Sequence, residues 1–175
     1  RPPLSTLLPS TTLFRSELIP QSRSIVHPDY NIAIKHTLES TKILRNLGLP
    51  APAPIRSDYR WPGKFVPFTH QLESAEFLTL HRRAFVLSDM GTGKTSSTLW
   101  AADWLMAHGY VKRALIMSPL STLDRVWKNE IFDTLMHRVA SVVHGTRDQR
   151  MAALDVPADF YILNHDGVAI TQVAD

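Results

Sequence analysis

Apolar positions return along this chain with two periods, and the places where one gives way to the other mark its elements. Between Thr37 and Leu47, the positions Leu38, Thr41, Leu44 and Leu47 recur at every third residue, Gly48 offers a left-handed cap and Pro50 follows. That spacing predicts a short amphipathic helix. From Leu49 to Pro54, Pro alternates with Ala or Leu, as in an extended polyproline-like connector. Trp61-Pro62-Gly63-Lys64 then reads as a turn, with Pro at the second position.

Beyond Phe68 the alternation becomes regular. A helix is predicted from Thr69 through Leu72, Ala75 and Leu78 to Leu80, and the unbroken apolar run Ala84-Phe85-Val86-Leu87 predicts a strand buried on both faces. Another helix, Thr95 to about Ala107, carries Leu99, Ala102 and Met106 on one face and ends at Gly109. Arg113 to Met117 is strand-like, and Ser121 to Met136 is helical, with Leu123, Trp127, Ile131 and Leu135 in register. Val139 to Val143 is the next strand. Thr146 and Gln149 make a capping box for a helix to about Leu154, and Phe160 to Leu163 is a further strand. Strands separated by helices of this length imply an α/β fold, a parallel sheet covered by helices on both faces.

Composition narrows the class without changing this picture. The chain has 175 residues, 44% of them apolar and 20% charged, enough for a packed domain and too apolar for a disordered chain. No run reaches the roughly 18 apolar residues of a membrane span, so no membrane partner is expected. There is no cysteine, which removes disulfides and thiolate metal sites and makes the reducing cytoplasm the natural compartment. A net charge of +3 permits a nucleic-acid partner without arguing for one.

The first 16 residues show no periodicity and lack the basic-then-apolar design of a secretory signal, so they are expected to form a disordered tail. Ser10 to Ser16 resembles the peptide obtained when a common sequencing-library adapter is translated as coding DNA. Residues 17–64 form an N-terminal extension holding the short helix and the Pro-rich linker, and the main domain occupies 65–175. The chain opens on Arg1 rather than Met and closes at Asp175 in mid-pattern, so it reads as a fragment.

The most informative residues are Ser88-Asp89-Met90-Gly91-Thr92-Gly93-Lys94-Thr95, between a predicted strand and a predicted helix. They have the form of a P-loop, or Walker A motif, with Ser88 where the strict pattern has its first glycine. Glycines let successive backbone N–H groups curl inward towards phosphate oxygens, and the positive end of the following helix adds to the field. Lys94 would reach the β- and γ-phosphates and the Thr95 hydroxyl would ligate Mg²⁺, so ATP and Mg²⁺ are the implied ligands.

With its flanking segments, this loop resembles the Swi/Snf-type branch of superfamily 2 helicases and translocases, or a phage or bacterial relative, over about residues 65 to 170. The family has a loop much like Asp89 to Thr95 and a Gln at the start of the helix before the first strand, the place held by Gln71 in Phe68-Thr69-His70-Gln71-Leu72. The Gln71 amide can donate to and accept from an adenine edge at once; its plainer reading is a solvated helix residue. The resemblance continues through Pro119-Leu120-Ser121-Thr122, followed by Trp127 and Glu130, a segment that in the family grips the DNA backbone. Simple capping by Ser121 with Asp124 is the alternative there. Val143-His144-Gly145-Thr146 matches the family's third-strand turn and is assigned no chemistry. Asn164 and His165 sit where the family carries a short motif that touches the nucleic-acid strand. A degenerate Walker B is the rival reading of that stretch, but Asn164 holds its first acidic place and lies too close behind Lys94.

The resemblance implies the first part of a RecA-like lobe, truncated before the Walker B strand, with the second RecA-like lobe of the same polypeptide missing. The parent would be a DNA-dependent ATPase acting on single- or double-stranded DNA. Hydrolysis needs a carboxylate on the Mg²⁺ shell, a group that orients water and an arginine finger. No Asp-Glu pair occurs in the sequence, so the fragment is expected to bind ATP-Mg²⁺ and, weakly, DNA, to lack catalytic residues, and not to hydrolyse ATP. A different P-loop enzyme such as a small-molecule kinase, and a non-enzymatic nucleic-acid binding fragment, are the other readings. The eight His are scattered without metal-ligand spacing.

Overall fold

The computed structural model describes residues 5–9, 22–25, 28–63, 66–165 and 167. The chain divides into two compact units, Arg1–Arg60 with Glu76–Ala84, and Trp61–Ala75 with Phe85–Asp175.

The first unit contains an antiparallel sheet of order β1-β3-β2, formed by β1 (Ser5–Pro9), β2 (Ser22–Ser24) and β3 (Tyr30–Lys35). The expectation of an unfolded opening stretch therefore fails for Ser5–Pro9. That segment has no periodic signal of its own; it gains order by pairing along β3, from Ser5 opposite Lys35 to Pro9 opposite Tyr30. The Ser10–Ser16 stretch lies outside the described residues. Ile32 and Ile34, alternate residues of β3, bury themselves against Leu44 and Ala51. Leu44 belongs to α1 (Leu38–Asn46), which starts in a capping box: Thr37 Oγ1 accepts from the Ser40 N–H and Ser40 Oγ accepts from the Thr37 N–H. The Pro-rich connector leads into a single helical turn, α2 (Ile55–Asp58). The later part of α3 (Thr69–Leu80) contributes Glu76, whose buried carboxylate accepts from the Arg45 guanidinium and, at 2.7 Å, from the Ala53 N–H. One carboxylate thus pins helix α1 and the connector together.

The second unit is α/β. Strands β4 (Ala114–Met117), β5 (Ala140–Val143) and β6 (Phe160–Leu163) form a parallel sheet of order β4-β6-β5 flanked by helices. The central strand β6 is buried along its whole length, as an uninterrupted apolar run demands. Val143, Ala158, Tyr161 and Leu163 pack together with Ala153 and Leu154; the last two lie on α6 (Arg147–Asp155). Helix α4 (Lys94–Ala107) buries Leu99, Trp100 and Trp104 and stops at Gly109, φ +73°. Its buried Asp103 accepts from His137 Nε2 at 2.9 Å and Arg138 Nε at 2.6 Å. Burial acts to lower the pKa of the Arg138 guanidinium, but the hydrogen bond and charge of Asp103, and then Asp159, outweigh it and hold the pKa above its ordinary value.

Two predicted elements take another form. Ala84 to Leu87 is not a strand: it pairs with none of the sheet strands, and Phe85 and Leu87 are 85% and 91% exposed. An apolar run becomes a buried strand only where neighbours hydrogen-bond its edges, and none of the three sheet strands does so here. The predicted helix from Ser121 to Met136 is a composite of a 3₁₀ turn (Leu120–Thr122), a π-helical stretch (Leu123–Lys128) and α5 (Asn129–Thr134). Leu123, Ile131 and Leu135 are buried as the spacing predicts, while Trp127 is half-buried. The wider π turn accommodates these anchors without a regular 3.6-residue period.

Candidate functional site

The loop from Ser88 to Gly93 leads directly into α4. Gly91 and Gly93 both have left-handed φ values, +77° and +80°, which a residue with a Cβ adopts only at a cost. Gly93 is the N-cap of α4; no side chain caps it and no acidic residue sits in the first turn. Helix α4 has 14 residues, so its positive end carries the full field of a long helix. The Lys94 ammonium lies over the loop, donating to the Ser88 and Asp89 carbonyls at 2.7 and 2.6 Å. Thr92 Oγ1 donates to the Asp89 carbonyl at 2.8 Å. A glycine-flanked turn, an uncapped helix start and one ammonium group make a cradle suited to an oxyanion.

Gln71 reaches this loop from the first turn of α3. Its Nε2 donates to the Thr92 carbonyl at 3.2 Å and its Oε1 accepts from the Phe68 N–H at 3.0 Å. The plainer reading, a solvated helix glutamine, gives way to one bonded across to the loop. One N–H and one lone pair of the amide remain for an adenine edge. The side chain lies so close to Gly93 that a Cβ there would overlap its amide. His70 Nε2 approaches the same Thr92 carbonyl at 3.1 Å. His70 has no distinguishing signal in the sequence, where it is one of eight scattered histidines; at the helix start both side chains converge on one carbonyl oxygen.

Among the other predicted residues, Asp89 and Met90 are exposed and Thr95 is half-buried. Mg²⁺ keeps several waters and takes substrate phosphate oxygens besides one or two protein ligands, so the single Thr95 hydroxyl fits it as one ligand. Among the described residues no group of three or more His, Asp or Glu gathers as a metal site.

The two segments expected to meet nucleic acid, and the third-strand turn, which is assigned no chemistry, emerge on one edge. Strands β4, β5 and β6 run parallel with Met117 and Val143 both level with Leu163, so Pro119–Thr122, His144–Thr146 and Asn164–His165 all follow the carboxyl ends of their strands. That edge is where open α/β sheets bind ligands. Pro119, Leu120, Ser121 and His165 are exposed and Thr122 half-buried. Ser121 does not cap: neither the 3₁₀ turn nor the π stretch has a side-chain cap, and Thr122 Oγ1 instead donates back to the Pro119 carbonyl at 2.8 Å. Asn164 differs from the rest. It is 8% exposed and its Oδ1 faces Arg150 Nη1 at 3.5 Å, while Arg150, 6% exposed, donates from Nε to the Gly145 carbonyl at 2.9 Å. A Cβ on Gly167 would overlap both partners. Glu130 accepts from Ser96 at 2.5 Å and Thr134 at 3.4 Å, tying α5 to the first turn of α4.

No protein-family model and no curated protein matches the chain. Among solved structures it is similar to the Sulfolobus solfataricus SWI2/SNF2 ATPase core in complex with dsDNA, with a TM-score of 0.55 and 20% identity, over 62% of this chain and 23% of that one. At that identity the likeness is one of fold: the parallel sheet with its flanking helices corresponds to part of a RecA-like domain. The chain spans less than a quarter of the length of that neighbour. No helix among the described residues is long and apolar enough to cross a membrane.

Proposed function

We propose that this chain is the ATP-binding portion of a DNA-dependent ATPase of SWI2/SNF2 type, with the cradle at the start of α4 as its nucleotide site. The observation that carries the reading is the helix start itself: glycine-capped, free of acidic residues in its first turn and overlain by Lys94. Lys94 exchanges two carbonyl acceptors for the β- and γ-phosphate oxygens, a stronger charge-assisted pairing. The backbone N–H groups of Gly91 to Thr95 hold the remaining phosphate oxygens, and Gln71 presents its outer N–H and lone pair to adenine. Thr95 supplies a hydroxyl to Mg²⁺, which when bound neutralises phosphate charge. Exposed Ser121 and Thr122, at the carboxyl edge of the sheet, offer donors to a DNA phosphate, with His165 beside them in the same row of loops. Asn164 serves by holding Arg150 and the Gly145 turn rather than by touching DNA.

Because the sequence contains no Asp-Glu pair, the 175-residue chain binds nucleotide without turning it over. Calorimetric titration with Mg²⁺-ATP tests the reading. Binding that disappears in Lys94→Ala supports it, and binding unchanged in that variant excludes the cradle. DNA-stimulated phosphate release by the chain alone would overturn the division between binding and hydrolysis.

A further inference from the structure

The peptide between Thr92 and Gly93 is held from outside by two side chains, of which only Gln71 figures in the reading above. A trans peptide is planar, so its C=O and N–H point in opposite directions. Fixing the Thr92 oxygen therefore fixes the direction of the Gly93 N–H. The unit turns about ψ of Thr92 and φ of Gly93, and Gly93, at φ +80°, offers little steric bias on its side, so what grips the carbonyl helps to set its direction. Two donors grip it: His70 Nε2 at 3.1 Å and Gln71 Nε2 at 3.2 Å meet at the one carbonyl oxygen. The His70 ring is itself steadied by stacking on Phe68, with centroids 5.8 Å apart and planes 8° from parallel. Phe68 is anchored in turn by its N–H bond to Gln71 Oε1 at 3.0 Å.

We infer that His70 is a positioning residue of the phosphate loop: it draws the Thr92 carbonyl outward and so turns the Gly93 N–H towards the bound phosphate. This rests on the nucleotide reading above and adds to it a residue that touches neither base nor phosphate. A carbonyl oxygen only accepts, so this contact requires the proton on Nε2. Its effect falls on the phosphates alone, and a phosphate chain without a base feels it as strongly as ATP does.

Calorimetric titration of the 175-residue chain with Mg²⁺-ATP and with inorganic tripolyphosphate tests this. His70→Ala should weaken both by about five- to tenfold, the effect of misdirecting one N–H aimed at a charged group while Gln71 still holds the carbonyl. His70→Gln should bind both within about twofold of the parent, because its amide can donate to the same oxygen. Undiminished binding in His70→Ala would overturn the inference. So would a loss confined to ATP, which would assign His70 to the base, or a His70→Gln variant as weak as His70→Ala, which would assign the effect to ring stacking. If the parent chain binds neither ligand, the phosphate-loop reading falls and this inference with it.

Discussion

Three helices of this protein begin in contrasting ways, and the contrast sets α4 apart from α1 and α6. Helices α1 and α6 each open with a threonine whose hydroxyl accepts from the N–H three residues on, while that third residue returns a side-chain oxygen to the threonine N–H. Glu39 and Asp148 add negative charge to those first turns. Helix α4, longer than either, has a glycine in the left-handed region, no capping side chain and no acid in its first turn. The same backbone chemistry leaves polar N–H groups at every helix start. In α1 and α6 side chains of the first turn answer them, whereas at α4 no side chain does so and an ammonium group stands nearby.

The sharpest way to break this contrast is Lys94→Ala. It should raise the Kd for Mg²⁺-ATP by about a hundredfold, the effect of a lost charge-assisted bond to phosphate, and the rise in melting temperature that sulfate should produce in the parent should be lost in the variant. Next comes Gly93→Ala, which forces a Cβ into a left-handed conformation at a cost of about 1–2 kcal/mol and presses on Gln71. It should lower thermal stability and phosphate affinity together. Thr146→Ala is the control on the other side. It should cost about 1 kcal/mol of stability in urea titration and leave nucleotide affinity untouched. The smallest effect belongs to Gln149→Ala, which removes only the return bond to the Thr146 N–H and should cost about 0.5 kcal/mol by the same measurement.

Those helix starts were also the most legible features in the sequence. Thr146 and Gln149, or Gly93 and Lys94, act through neighbours a few positions away, so the residue string contains their geometry almost complete. Strands β4, β5 and β6 were legible for a related reason, since short apolar runs between helices have few other uses. What escaped depended on partners far along the chain. Residues 84–87 are as apolar as β6, yet whether such a run becomes a strand is decided by what pairs with its edges. Ser5–Pro9 shows the converse, a segment without pattern that is ordered by β3. The alternation of Ile32 and Ile34 in β3 was a usable signal that pattern-reading around the glycine loop passed over. Within the site, Gln71 could be found by its place ahead of the loop. His70 could not, because its role comes from where the Thr92 carbonyl happens to cross the helix end.

Gly167 shows how a residue with no side chain can govern distant freedom to vary. Arg150 and Asn164 meet over its α-carbon, so that even one methyl group there would have to displace both side-chain ends. In a saturation library, alanine and every larger residue at this position should be depleted for want of space, although none alters the charge of the nearby pair. Arg150→Lys, which vacates part of that volume, should be the background on which Gly167→Ala first becomes tolerated. The two positions would then behave as a locked pair, each fixing the alphabet available to the other.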